Sequence, residues 1–233
     1  MIWLLLLACD AETSSIVFSG EVQDAPGNAG KPVEGAAVVA QNREGAVVGE
    51  DETDADGAFA VTVDAGVSFF LTVSAEGYVP TSFSGLAGLS DYTSEAGLPW
   101  LATTEWVEEQ KARFAACPTA GEEGTFITGQ TLQFIASVAD ASSWPQLADV
   151  SVEVLGSDGE TDPGCYLDAE QVSLADGEST GETGEFAVFG VPPGGINVRA
   201  TVQRSSGEAG TDVFEYVAPE SGLIPMFPTP LEL

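Results

Sequence analysis

The residue types that usually do chemistry are unevenly supplied in this chain. Its 233 residues include 37 Asp and Glu, three Cys and no His. Without histidine there is no Ser-His-Asp or Cys-His nucleophile and no His-ligated zinc or iron. The usual general base near neutral pH is missing too. Carboxylates and thiols remain. The densest carboxylate group is Glu50-Asp51-Glu52-Thr53-Asp54-Ala55-Asp56-Gly57, with five acids within seven residues. Such crowding is relieved by a hard cation that takes several oxygen ligands, which makes Asp51, Asp54 and Asp56 candidate calcium ligands. The twelve-residue helix-loop-helix calcium pattern, with its closing Glu, is missing. Asp-x-Asp-Gly suits a solvated hairpin turn equally well. No other cofactor is expected. Glu182 and Glu185 have the types of a glycoside-hydrolysing pair, but nothing in their spacing brings them to a cleft. The chain therefore reads as a non-enzyme.

Charge narrows the partners. Six basic residues, Lys31, Arg43, Lys111, Arg113, Arg199 and Arg204, leave a formal net charge of −31. That charge repels phosphate backbones, so nucleic acid is excluded as a partner. It also opposes adsorption to anionic headgroups, so any membrane link must be covalent or hydrophobic.

The first cysteine closes an apolar run, Met1-Ile2-Trp3-Leu4-Leu5-Leu6-Leu7-Ala8-Cys9. As a helix, residues 2–8 span only ~10 Å of a ~30 Å bilayer core, too little to cross it. Residues 1–9 read as the end of a signal peptide; a short strand with a buried cysteine is the alternative. Leu6-Leu7-Ala8-Cys9 resembles the bacterial lipobox. That resemblance implies a lipidated Cys9 and a cell-envelope protein tethered to a bacterial membrane, facing away from the cytoplasm. At roughly 0.8 kcal/mol per buried CH₂, several acyl chains anchor stably. Cys117 and Cys165 are then left as an even pair. Outside the cytoplasm they are expected to form one disulfide, with two buried free thiols as the alternative.

Short apolar runs, 27 Gly and 13 Pro predict many short strands and an all-β chain. A first module is expected over residues 14–82. Its strands are 15–22, 33–40, one carrying alternating Phe59, Val61 and Val63, and 69–75, with a turn at 42–45. Four phrases run through it in order: Gly20-Glu21-Val22, Pro32-Val33-Glu34-Gly35-Ala36-Ala37-Val38, Thr53 to Phe59 with Asp54 and Gly57 between, and Ala75-Glu76-Gly77-Tyr78. This order resembles the carboxypeptidase regulatory-like domain. The resemblance implies a transthyretin-like, Ig-like sandwich of about seven antiparallel strands, with no catalytic residues of its own.

A connector follows over 83–120, with one short helix over 104–116 capped by Thr103 or Thr104. Its Trp106, Val107, Gln110 and Phe114 share a face that should dock on a sandwich. Strands at 134–138 and 150–155 open a second, divergent module over 121–218. Thr180-Gly181-Glu182-Thr183-Gly184-Glu185-Phe186-Ala187-Val188 repeats Thr53 to Val61 at a constant spacing of 127 residues. Pro219, Pro225, Pro228 and Pro230 oppose strand pairing in 219–233. An extended tail is expected there, packing through Leu223, Ile224, Met226 and Phe227.

These readings converge on a non-catalytic, lipid-anchored protein that displays β-sandwich modules for structural, adhesion or assembly roles. The alternative is a glycan- or peptide-binding module, for which Trp100, Trp106, Trp144 and Tyr92 are the candidate contacts.

Overall fold

Alternation of apolar and polar side chains builds the first strands, because successive residues of a strand face opposite ways. β1 (Ser15–Glu21) and β4 (Ala58–Asp64) each bury every second residue. This computed structural model describes residues 14–24, 30–86, 88–94, 99–133, 143–156, 161–174, 177–203 and 209–231. Cys9, the signal-like segment and the strand expected at 134–138 lie outside the described residues.

The remaining strands before the helix are β2 (Ala37–Gln41), β3 (Val47–Glu52), β5 (Phe69–Ser74), β6 (Tyr78–Val79), β7 (Thr81–Leu86), β8 (Tyr92–Thr93) and β9 (Ala102–Thr103). Helix α1 (Thr104–Arg113) follows. After it come β10 (Thr125–Gln133), β11 (Val150–Leu155), β12 (Thr161–Pro163), β13 (Cys165–Leu167), β14 (Ser173–Leu174), β15 (Glu185–Val191), β16 (Gly194–Gln203), β17 (Ala209–Ala218) and β18 (Gly222–Leu231).

Among the described residues the fold is all-β apart from α1. One sheet runs β4-β1-β8 and another β12-β11-β16-β17. A nine-stranded sheet, β14-β13-β15-β10-β18-β7-β5-β2-β3, spans both halves of the chain. Two sandwiches result. The first packs β4-β1-β8 against β3-β2-β5-β7 around Phe18, Val38, Phe59, Val61 and Leu71. The second packs β15-β10-β18 against β12-β11-β16-β17 around Ile127, Val152, Phe186, Val198 and Ile224. Each contains one parallel pair, β1 with β8 and β10 with β18, so the expected wholly antiparallel pairing is corrected. The first sandwich also draws β8 from the segment expected to be connector.

The sequence repeat is also a repeat of topology and hydrogen bonds. β4-β1-β8 matches β15-β10-β18, and β3-β2-β5-β7 matches β12-β11-β16-β17. Gly20 lies opposite Phe59, and Gly129 lies opposite Phe186. A Cβ on Gly20 would come within 3.0 Å of the Phe59 ring, and one on Gly129 within 2.6 Å of the Phe186 ring. Thr53 accepts from Ala36 N at 2.8 Å and donates to Val33 O at 2.6 Å. Thr180 accepts from Val150 N at 3.2 Å and donates to Leu147 O at 2.9 Å. Both threonines are buried, so Val at 53 leaves Ala36 N–H and Val33 O without their partner, and Val at 180 leaves Val150 N–H without its partner while Leu147 O keeps Thr131 Oγ1 at 2.8 Å. Thr53→Val and Thr180→Val are each expected to cost about 1–3 kcal/mol in urea unfolding. A change in only one of the two would show that the copies do not share this scaffold.

The two sandwiches lie on opposite faces of the shared sheet. β5 sends Phe69, Leu71 and Val73 into the first core. Phe70 faces the other way and lines a groove with Val213 and Phe214 of β17. Ser82 of β7 donates to Val217 O at 2.7 Å on that same face. Arg43, in the β2–β3 turn, pairs with Glu215 and donates to Asn197 Oδ1 at 3.0 Å. α1 covers the sheet on the side of the first sandwich, over Phe126, Leu167, Phe189 and Leu223.

The expected Pro-rich tail is corrected. Residues 222–231 form β18, parallel to β10 at the centre of the nine-stranded sheet. Three prolines fit because of where their missing N–H groups would point. Leu223 N donates to Pro80 O, so position 223 turns its N–H toward β7 and Pro225, two residues on, turns its donor-less nitrogen the same way. Pairing with β7 is recorded only at Leu223↔Thr81. A register shift between Gly129 and Thr131 puts positions 228 and 230 in the same orientation as 225. No proline therefore interrupts the ladder to β10.

Candidate functional site

The acidic cluster splits between a strand and a turn. Asp51, on β3, accepts from Ala60 N at 2.6 Å through Oδ2. Asp54 opens the turn into β4, and its Oδ1 accepts from Asp56 N at 2.9 Å and Ala58 N at 3.0 Å. Gly57 completes that turn at φ +75°, where a Cβ would lie 2.7 Å from Val22 O. Asp56 is exposed. Two of the three candidate calcium ligands thus hold backbone N–H groups. No group of three or more acids or thiols able to hold a metal forms among the described residues. Glu182 is exposed, whereas Glu185 is paired with Arg113 at 2.7 Å, so these two do not converge either.

Helix α1 begins where Thr103 Oγ1 accepts from Trp106 N at 3.2 Å. Its Val107, and Phe114 just beyond its end, are buried against Phe126 and Phe189. Pro118 follows the last turn, and Cys117 beside it is joined to Cys165 of β13 as a disulfide. The bond ties the exit of the helix to the sheet on which the helix lies. Lys111 sits 5.9 Å from the Phe126 ring centroid and pairs with Glu108 at 3.1 Å.

The candidate aromatic contacts are not brought to one face. Trp100 is 5% exposed and meets Phe83 and Trp106 edge-on. Trp106 and Trp144 are half-buried. Tyr92 is exposed, with its ring stacked on Phe18 at 5.6 Å.

Two tyrosines have perturbed phenols. Burial pushes Tyr166 up, while its bond with the Val152 backbone opposes the shift and nearby Glu153 adds to it. Burial pushes Tyr216 up to about 12 from 10.0, against a hydrogen bond with Ser84. Both hydroxyls are neutral at physiological pH and serve the core. The unfolded chain would ionise Tyr216 near 10, before the folded one does near 12. Its contribution is thus intact below pH 10 and lost as pH rises toward 12. The unfolding free energy from urea titration should fall over that interval by about 2–3 kcal/mol from this residue. Tyr216→Phe should flatten that part of the profile, and an unchanged slope would contradict the assignment.

A groove of about 760 Å³ runs beside α1, walled by Glu108, Glu122, Glu123 and Glu220 with Phe189 at its floor. Its other polar side chains are Lys111 and Ser221. A different feature marks the far end of the first sandwich, which sequence patterning passed over as loop. There Leu89 is 86% exposed and Val67 46% exposed. They flank a bond from Gly66 N to Gly88 O of 2.7 Å, close to where the described chain begins at Ser14.

Residues 17–96 match the carboxypeptidase regulatory-like domain family, a span from within β1 to just past β8. Comparison with curated proteins gives no match. Among solved structures, the shaft pilin SpaA of Lactobacillus rhamnosus GG overlays with a TM-score of 0.31 and 10% identity, covering 94% of this chain and 99% of the pilin. The minor pilin GBS52 of Streptococcus agalactiae gives 0.32 and 10%, covering 93% and 95%. The major pilin subunit BcpA of Bacillus cereus gives 0.27 and 10%, covering 91% and 69%. Overlays this distant carry no weight for function, which must be argued from the chain's own residues.

Proposed function

We propose that this chain, whose residues 17–96 are a carboxypeptidase regulatory-like domain, is a non-catalytic cell-envelope protein. In this reading it is held to a bacterial membrane by lipid on Cys9 and presents two joined sandwiches outside the cytoplasm. The observation that carries the reading is the Cys117–Cys165 disulfide, since such bonds form and persist in oxidising compartments. Cys9, the remaining cysteine, stands in Leu6-Leu7-Ala8-Cys9, the pattern expected of a lipidation site. The side chains with reactive potential support a structural role. Asp51 and Asp54 hold turns, Glu185 holds Arg113, and Tyr166 and Tyr216 fill the second core. With no histidine in the sequence, a structural, adhesive or assembly role suits the chain better than catalysis.

Metabolic labelling with a clickable fatty acid tests this reading. Wild-type protein in the membrane fraction should carry the label, and Cys9→Ala should lose it completely. An unlabelled wild type, or label that survives the substitution, would refute the anchor.

A further inference from the structure

We infer that the end of the first sandwich nearest Cys9 seats directly on the lipid bilayer, with Leu89 and Val67 entering its interfacial layer. The inference rests on the lipid anchor proposed above. Ala65 N donates to Ser14 O at 2.8 Å, which pins the entering chain to the end formed by the β4–β5 turn and residues 88–90. Five residue steps separate Cys9 from Ser14, at most about 18 Å fully extended. A lipidated Cys9 therefore holds this end within that distance of the headgroups. Contact becomes an intramolecular event at high effective concentration.

The surface held there is apolar. Leu89 has the highest exposure of any large hydrophobic side chain among the described residues, at 86%, and Val67 stands beside it at 46%. The 2.7 Å bond from Gly66 N to Gly88 O joins the two loops, and Leu89 Cδ2 lies 3.4 Å from where a Cβ on Gly66 would be. Behind them a mainly apolar slot of about 240 Å³, lined by Ile16, Phe18, Phe69 and Tyr92 together with Ser90 and Asp91, opens past Gly88. Apolar side chains held at this depth gain free energy by leaving water for the boundary between headgroups and acyl chains.

Charge selects the bilayer over a second copy of the chain. Asp64 and Asp91 are exposed on the segments that carry the tips, and the net charge is −31. Two copies meeting here would oppose like charges, whereas zwitterionic headgroups offer ammonium groups to these carboxylates. The seating also fixes direction. β4 runs from Ala58 to Asp64, about 20 Å, so the acidic turn at Asp54 and Asp56 lies at the end away from the lipid.

The test uses full-length lipidated protein carrying Leu89→Cys. With Cys9 acylated and Cys117 bonded to Cys165, the new thiol is the one free to label. An environment-sensitive fluorophore is attached, and the protein is reconstituted into phosphatidylcholine vesicles with brominated acyl chains. Val67→Cys is a second probe position in case the first disturbs folding. Val172→Cys, 55% exposed on the second sandwich, is the control. Brominated lipid should quench the probes at 89 and 67 by about twofold or more and leave the probe at 172 unchanged. Vesicle flotation reports the anchor separately. Loss of flotation overturns the anchor and the seating together. Flotation with equal emission at 89, 67 and 172 overturns the seating alone. Shielding at 89 that rises with protein concentration and resists bromine also overturns it, and would assign the patch to a second copy.

Discussion

Ending the chain at Ala218 is expected to unfold the second sandwich and leave the first standing. β18 places Leu223, Ile224, Met226 and Leu231 in the interior at 0%, 0%, 3% and 1% exposure. At roughly 1.5–3 kcal/mol for each such side chain, the loss is about 6–12 kcal/mol. That is comparable to the whole stability of an ordinary domain. The truncation also strips β10 of its parallel partner along Thr125–Gln133 and removes the strand that joins β10 to β7. The first core takes no residue from β18. Hydrogen exchange should therefore show persistent protection in β1, β2, β4 and β5, and protection lost in β10, β15 and β16. A truncated protein that melts like the intact chain would mean that β18 is dispensable.

The same strand shows where the sequence stops being legible. Phe59, Val61 and Val63 announced β4 because one buried face leaves a period of two. Thr53 and Thr180 announced a duplication because each copy needs the same hydroxyl to hold its turn. β18 carried the opposite signal. Its prolines are set by the direction of missing donors, and a sequence does not say which neighbour a donor would meet. The pairing of Leu223 with Thr81 was equally hidden, since hydrophobic period reports faces and not partners. β3 was missed for a related reason. Val47–Glu52 is an acidic edge strand without a clean alternation. At the candidate sites, residue type alone suggested calcium for Asp51 and Asp54, but nearby backbone N–H groups engage both carboxylates. Leu89 and Val67 gave no sequence signal, because an isolated apolar residue in a loop is unremarkable until its exposure and neighbours are known.

Removing the disulfide has the second large expected effect. Cys117 and Cys165 are 48 residues apart, and closing a loop of that length restrains the unfolded chain by about 4 kcal/mol in the chain-entropy account. The bond also holds α1 in place, since Cys117 follows Phe114, which is 1% exposed in the layer over Phe126 and Phe189. The Cys117→Ala/Cys165→Ala protein should show an unfolding free energy from urea titration lowered by that amount. Its thermal midpoint should fall by roughly 8–16 °C for a chain of this size. Dithiothreitol should move the wild type to the same place and leave the double variant unmoved. If the variant matches the oxidised wild type, the bond contributes nothing. If dithiothreitol destabilises both equally, it acts elsewhere. A loss of about 4 kcal/mol is a large share of the 5–15 kcal/mol typical of folded proteins. The chain would then reach full stability only where thiols oxidise, which ties its folding to the compartment in which Cys9 is expected to carry lipid.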